Sequence, residues 1–197
     1  PYTGAPALAG QAALRAGADL AHVACPESIA HEIQGYSENV IVRPQSGSRL
    51  TPDDVSELLE LATEMDCVVV GPGLGDANRT LEAVSMFLAE FEGMAVVDAD
   101  ALQVVPDVDT DATLICTPHQ GELEAMGGET ATDPETHASL AASFAADLGV
   151  TLLVKGAHDV IADGHRTRRN RTGNPGMTVG GTGDVLAGAT GPIACVL

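Results

Sequence analysis

The chain has 197 residues, 45% of them hydrophobic, which is enough for one sizeable core and points to a single domain. Its formal charge of -19 and pI near 4.3 exclude a polyanion-seeking surface, because no Lys/Arg stripe exists to neutralise nucleic-acid phosphates. Of nine basic residues eight are arginine and one, Lys155, is lysine; a carboxylate-rich, lysine-poor surface suits high salt, where self-repulsion is screened, and reads as a halophile's cytoplasmic protein ahead of an ordinary acidic one.

Apolar strand-like runs alternate with helix-period segments almost from end to end, the pattern of βα units around a largely parallel sheet. APALAGQAALRAG predicts a helix, LAHVAC a strand and ENVIVRP another. TPDDVSELLELATEM predicts a helix capped by Thr51, with Pro52 in its first turn and acids beside its positive end. CVVVG is a buried strand that runs into GPGLG; ANRTLEAVSMFLAEFEG follows as a helix, MAVVDAD and TLICTP as strands, and PETHASLAASFAADLG as a helix. TLLVKG and DVIADG are two more strands, and HRTRRN, after the Asp163-Gly164 turn, pairs back as a solvated hairpin partner. Residues 126–134, MGGETATDP, are the expected mobile loop.

Cys25, Cys67, Cys116 and Cys195 sit in apolar runs without a C-x-x-C, as small buried hydrophobes rather than ligands or disulfides, which fits a reducing compartment. No apolar stretch reaches membrane-spanning length and no signal-peptide pattern opens the chain, so a cytoplasmic protein with no membrane partner is expected. PYTGAP enters a helix with no strand before it, and GATGPIACVL stops on apolar residues that want covering. Segments are therefore expected to be missing at both ends.

In open α/β sheets ligands gather at the carboxyl ends of the strands, so motifs matter most there. GGTGD, residues 180–184, offers glycine amides and a helix N-terminus to an anion, with Asp184 in reach of a proton on the reacting group. That is a phosphoryl-transfer arrangement, and a glycine-rich turn with a first-turn helix acid explains the spacing equally well. GPGLG is not G-x-G-x-x-G, and alone it reads as a tight strand-to-helix turn. TPHQGE ends a strand with His119 and an acid; alone, such a histidine is a helix-start or surface residue. Asp98 and Asp100 either cap the next short helix, the reading preferred here, or bear on a magnesium ion through water. Lys155, alone of its kind, is read as reaching a nucleotide phosphate in preference to a retained salt-bridging role.

TGAPAL, GPGLG, VVDADAL, TPHQGE, LLVKG and NRTGNPGMTVGGTGDVLAG occur in the order seen in ADP-dependent NAD(P)H-hydrate dehydratases, and the chain resembles that family over nearly its whole length. NPGM-x-x-GGTGDVLAG is the specific part; GPGLG and the lysine are supporting. The resemblance implies a ribokinase-like three-layer α/β/α sandwich with a mostly parallel central sheet. It also implies repair of NADH or NADPH hydrated at carbon 6 of the nicotinamide ring, by phosphorylation of that hydroxyl and loss of phosphate. Carried across, the family's positions put the hydrated cofactor near Ala5, Gly73 or Gly75, His119 and Asp184, with Asp184 as base. Gly181, Thr182 and Gly183 form the anion hole, and the adenylate of ADP or ATP lies against Lys155, Gly156, Ala157, His158, Asp159 and Gly183. Mg2+ is implied as the diphosphate's counter-ion, and homo-oligomers are common in the family. Two departures stand out: Gln120 where proline is usual, and Asp159 where many members have threonine, which puts the adenylate contacts in question. A vitamin-alcohol kinase of the same superfamily and a noncatalytic nucleotide sensor are the competing readings.

Overall fold

Helix α1 (Gly4–Ala16) is built from small residues, with Ala7, Ala9, Gly10 and Ala12 buried, and it stops at Gly17, whose φ of 114° is a left-handed cap that glycine adopts without a Cβ penalty. The computed structural model describes residues 2–196. After α1 come β1 (Ala21–Pro26), α2 (Glu27–Gln34) and β2 (Val40–Gln45). Helix α2 adds to the predicted elements. Its buried Ala30 and Ile33 show a helical spacing, but eight residues are too few for that period to stand out.

The predicted helix after Thr51 begins as a 3-10 turn, Pro52–Asp54, and continues as α3 (Val55–Ala62). Thr51 donates its N–H and its hydroxyl to the Asp54 carboxylate at 2.8 and 2.9 Å. The remaining elements follow the predicted order, with α5 a further addition: β3 (Cys67–Val70), α4 (Asn78–Glu90), β4 (Met94–Val97), a 3-10 segment (Ala99–Asp107), β5 (Thr113–Cys116), α5 (Gln120–Ala125), α6 (Pro134–Leu148), β6 (Thr151–Val154), β7 (Asp159–Ala162), β8 (Thr167–Asn170) and α7 (Thr182–Cys195).

Strands β3 to β8 form one six-stranded sheet in sequence order, parallel from β3 to β6 and antiparallel through β7 and β8, the predicted hairpin. β1 and β2 pair in parallel as a separate two-stranded sheet. Alternation along the strands sorts the layers. Val68, Val70, Ala95 and Val97 join α3, α4 and α6 in the main core, whereas Val69 and Val96 lie under Gly191 of α7. The result is three layers, α/β/α. Helices α1 and α7 pack side by side so closely that a Cβ on Gly188 would overlap the Ala9 carbonyl oxygen.

One expectation is revised. Cys25 and Cys116 are buried, but Cys67 is only half-buried and Cys195 is exposed; all four are free thiols. Burial pushes the Cys116 thiol up to about 12, and burial, with Cys195 and Asp66 nearby, does the same for Cys67, so neither is a thiolate at neutral pH. The segment expected to be mobile is anchored at both ends. Met126 is buried, the Gly128 N–H donates to Leu123 O at 2.9 Å, and Asp133 caps α6 through the Thr136 N–H at 2.8 Å. No helix among the described residues is long and apolar enough to cross a membrane.

Candidate functional site

Four consecutive parallel strands end on the same edge, and each hands its last residue to the next through the backbone. Asp98 N–H donates to Val70 O, Thr117 N–H to Val97 O, both at 3.0 Å, and Lys155 N–H to Pro118 O at 2.8 Å. Gly71, Asp98, Thr117 and Lys155 therefore lie in a row at the carboxyl ends of β3 to β6, where ligands of open α/β sheets bind.

Asp98 is the centre of this row, and here the capping expectation is overturned. It occupies the position before the 3-10 segment but makes no side-chain cap. Its carboxylate is almost wholly buried, and Oδ1 accepts both the Thr117 hydroxyl and the Lys155 ammonium at 2.8 Å. A buried carboxylate without partners is costly, and a lysine and a threonine satisfy this one better than the helix amides would. The next residue, Ala99, is held at φ 53°, a left-handed conformation that costs a non-glycine residue about 1 kcal/mol or more. Such strain persists where its surroundings over-determine it.

Lys155 also approaches Glu122 at 3.5 Å, so the salt-bridging alternative describes its contacts. Glu122 is engaged in turn by His119. The His119 N–H donates to Glu122 Oε2 at 2.7 Å, and the Glu122 N–H donates to His119 Nδ1 at 3.0 Å, a reciprocal cap that opens α5. This cap fixes the Nδ1 face of the imidazole and leaves the ring 60% exposed at the rim of the site. Glu122 is the acid that ends TPHQGE, whereas Thr117 does not stand out in the sequence. The one available signal for Thr117 was a hydroxyl at the end of an otherwise apolar strand.

Helix α7 completes the cluster from above. Gly181, at φ 93°, turns the chain into the helix, and a Cβ on Gly183 would lie 3.6 Å from Lys155 Nζ and 4.0 Å from Asp98 Oδ2. The first-turn amides of a helix have no intrahelical acceptor, so those of Gly183 and Asp184 face the site as donors. Thr182 contributes less to such an anion hole, because its N–H and hydroxyl both donate to Val179 O, at 3.3 and 2.8 Å.

Asp184 sits in this first turn. Partial burial pushes its carboxyl above the ordinary aspartate range, Asp98 adds to the rise, and Lys155 opposes it. The two neighbours are separable by experiment. Followed by 13C NMR, the Asp184 carboxyl titrates at lower pH in Asp98→Asn than in the parent and at higher pH in Lys155→Met; movement of both in one direction would show that Asp184 does not sense this pair.

Other predicted residues form two flanking groups. Gly73 (φ 77°) lies against α1, where a Cβ would meet Pro6 Cδ at 3.1 Å, the Tyr2 carbonyl oxygen at 3.2 Å and Ala5 Cβ at 3.3 Å, which brings Ala5 and Gly73 together. Gly75 faces open space. On the other flank Gly156, Ala157 and His158 form an exposed turn. Asp159 holds it: one oxygen accepts the Gly156 N–H at 3.1 Å and the other the Asn170 amide at 3.0 Å. Asp159 thus shapes the turn from beneath. A hollow of about 160 Å³ opens beside His119 and Glu122, bounded by Ala99, Asp100 and Leu102.

Among the described residues no three His, Cys, Asp or Glu side chains converge as a metal cage. That is compatible with an ion carried mainly by a ligand's phosphates and reached by one or two carboxylates. Asp98, with Oδ2 towards α7, is the acid that fits.

Comparison with known proteins shows the family and the fold. The sequence profile of the NAD(P)H-hydrate dehydratase family matches residues 1–197. The chain is 43% identical over 190 residues to the bifunctional NAD(P)H-hydrate repair enzyme Nnr of Pyrobaculum aerophilum, covering 95% of this chain and 38% of that one. It is 38% identical over 192 residues to the ADP-dependent (S)-NAD(P)H-hydrate dehydratase of Cenarchaeum symbiosum, covering 95% of this chain and 67% of that one. Among solved structures, the ADP/ATP-dependent NAD(P)H-hydrate dehydratase of Bacillus subtilis, co-crystallised with ATP/Mg2+, superposes with a TM-score of 0.80 at 26% identity, over 98% of this chain and 68% of that one. A ribokinase-like protein of Enterococcus faecalis superposes at 0.81 with 22% identity, over 98% of this chain and 66% of that one, and confirms the ribokinase-like fold.

Proposed function

This chain belongs to the NAD(P)H-hydrate dehydratase family, and from that premise we propose that it returns hydrated NADH and NADPH to the reduced cofactors with ADP as phosphate donor. The observation that carries this reading is Asp184 in the first turn of α7, beside free amides and above the Asp98–Lys155 pair.

The Asp184 carboxylate takes the proton of the carbon-6 hydroxyl, and the freed oxygen attacks the terminal phosphorus of ADP while the bond to the bridging oxygen breaks and AMP leaves. The amides of Gly183 and Asp184 lie where the transferring phosphoryl group carries its charge. The ring nitrogen's lone pair then expels phosphate from carbon 6, and loss of a proton from carbon 5 restores the dihydropyridine. Hydroxide, a poor leaving group, has been replaced by phosphate.

His119, Ala5 and Gly73 border the substrate side, and the turn at residues 155–159, braced by Asp159, borders the adenylate side. Lys155 serves both Asp98 and the phosphates that enter between α7 and the strand ends. Mg2+ would reach Asp98 through water and supply charge neutralisation to the diphosphate. The protein works in the cytoplasm of a halophile as a homo-oligomer, with neither nucleic-acid nor membrane partners.

The test uses the natural polypeptide that carries this chain, in molar potassium chloride with Mg2+ and hydrated NADH. Reduced-nicotinamide absorbance returns when ADP or ATP is added and stays absent without nucleotide. If ADP binds and no absorbance returns, the site belongs to a kinase of another alcohol or to a sensor, and the repair reading fails.

A further inference from the structure

Three sulfur atoms meet at the edge of the main sheet opposite the candidate site. Cys67 and Met94 are the first residues of β3 and β4 and stand directly opposite each other in the parallel register. Residues paired in this way present their side chains on the same face of a sheet. That face is the one under α7, since a Cβ on Gly191 would lie 2.7 Å from Cys67 Sγ. Cys195, one helical turn beyond Gly191, brings the third sulfur to the same place.

The contacts of Cys195 define the cluster. Its Sγ lies 4.0 Å from Met94 Sδ, and its thiol donates to the Asp66 carbonyl oxygen at 3.6 Å. It is also close enough to the Cys67 thiol to add, by charge and by hydrogen bonding, to the rise that burial causes there. Two thiols and a thioether from three separate elements thus converge where the end of α7 crosses the starts of β3 and β4.

Thiol and thioether sulfurs are soft donors, and a soft cation is the ion they select. Sulfurs bonded at about 2.3 Å to one three-coordinate ion stand about 4 Å apart, which is the separation already present between Cys195 and Met94. Zinc requires harder company, four ligands drawn from cysteine, histidine and carboxylates. Among the described residues no three such side chains converge, so Asp66, although next to Cys67, does not complete a zinc set.

We infer that Cys67, Met94 and Cys195 form a three-coordinate binding site for a soft monovalent cation, Cu(I). On binding, each cysteine sulfur gives up its proton to solvent and donates a lone pair to the ion, and Met94 donates a thioether lone pair. Nothing is oxidised or reduced, and affinity rises with pH because protons are released. The bound ion ties the last turn of α7, whose first turn carries Asp184, to β3 and β4. The inference stands on the sulfur cluster and does not depend on which reaction the site performs.

The test is an anaerobic titration of the natural polypeptide with Cu(I) against a chromophoric Cu(I) chelator, in the parent, Met94→Leu, Cys195→Ser and the double variant Cys67→Ser/Cys195→Ser. The parent takes up one Cu(I) per chain more than the double variant, which keeps Cys25 and Cys116. Met94→Leu weakens that binding by about 10-fold or more and Cys195→Ser by about 100-fold or more. X-ray absorption of the copper-loaded protein counts three sulfurs in the parent and two in Met94→Leu. Cu(I) also raises the Tm of the parent and leaves that of the double variant where it was. Cys195 is exposed, so its serine variant keeps the fold even where a change at Cys67 does not. Equal uptake by the parent and the double variant overturns the inference, as does binding that Met94→Leu leaves unchanged. Loss of two thiols to a small-molecule disulfide, with no extra copper held by the reduced protein, overturns it in favour of a disulfide between Cys67 and Cys195.

Discussion

Asp184→Asn lowers the turnover of hydrated NADH by about 100- to 10,000-fold, the range expected when a positioned general base is removed, while ADP binding is retained. Asparagine keeps the shape and the helix N-terminus but cannot take the hydroxyl proton. ADP is held by the amides and the neighbouring turn, and a negative charge near its phosphates has been removed, so its affinity does not fall. The measurement is kcat from absorbance recovery alongside calorimetric titration with ADP. Turnover within tenfold of the parent would remove Asp184 from the base's role, and loss of ADP binding would mean that the substitution disturbs the site as a whole.

The pH dependence follows with a definite sign. A base must be ionised, and burial and Asp98 raise the pKa of Asp184, so kcat/KM falls on acidification at a pH above the ordinary carboxylate range. Stability runs the other way. A carboxyl whose pKa is raised in the folded state favours folding below its unfolded pKa, and that contribution is lost as pH rises through the folded value. At neutral pH the folded parent carries the full cost of the charge, which asparagine does not. The Tm of Asp184→Asn at neutral pH is therefore no lower than the parent's, although the variant is inactive.

How far the site was legible depended on whether its signal was local. The glycines and acid of GGTGD lie within five residues, and their spacing foretold the helix N-terminus of α7 with Asp184 in its first turn. Asp98 shows the opposite case. Read locally, an aspartate before a short helix is a cap, but its partners are Thr117, 19 positions away, and Lys155, 57 away. Only the parallel register that aligns the ends of β4, β5 and β6 brings the three together. Lys155 was singled out because it is the chain's one lysine, yet its engagement with two carboxylates was invisible for the same reason. The strands were legible because their apolar runs are short and bounded by turn residues. The division into two sheets was not, since strand order is a property of pairing and not of any run.

Gly71→Ala is expected to destabilise the protein by about 3 kcal/mol or more and to lower its Tm by roughly 10 °C. Gly71 has φ 128°, a conformation an L side chain rarely adopts, and a Cβ there would overlap the carbonyl oxygen of Asp98. The obstacle is backbone, not the end of a flexible side chain, so relief requires β3 and β4 to part at their carboxyl ends. Asp98 N–H is bonded to Val70 O at this same place, and the Asp98 side chain holds Lys155 beneath α7. Displacing it disturbs the charged pair under Asp184 together with the strained Ala99 that follows. Gly17→Ala is the matched control, with a similar φ of 114° but open space around its Cβ, so it reports the conformational cost alone. Thermal unfolding of the two variants separates the causes. A much larger loss in Gly71→Ala confirms the close approach of β3 to Asp98; equal losses would show that backbone conformation accounts for both, and that the ends of β3 and β4 have room to separate.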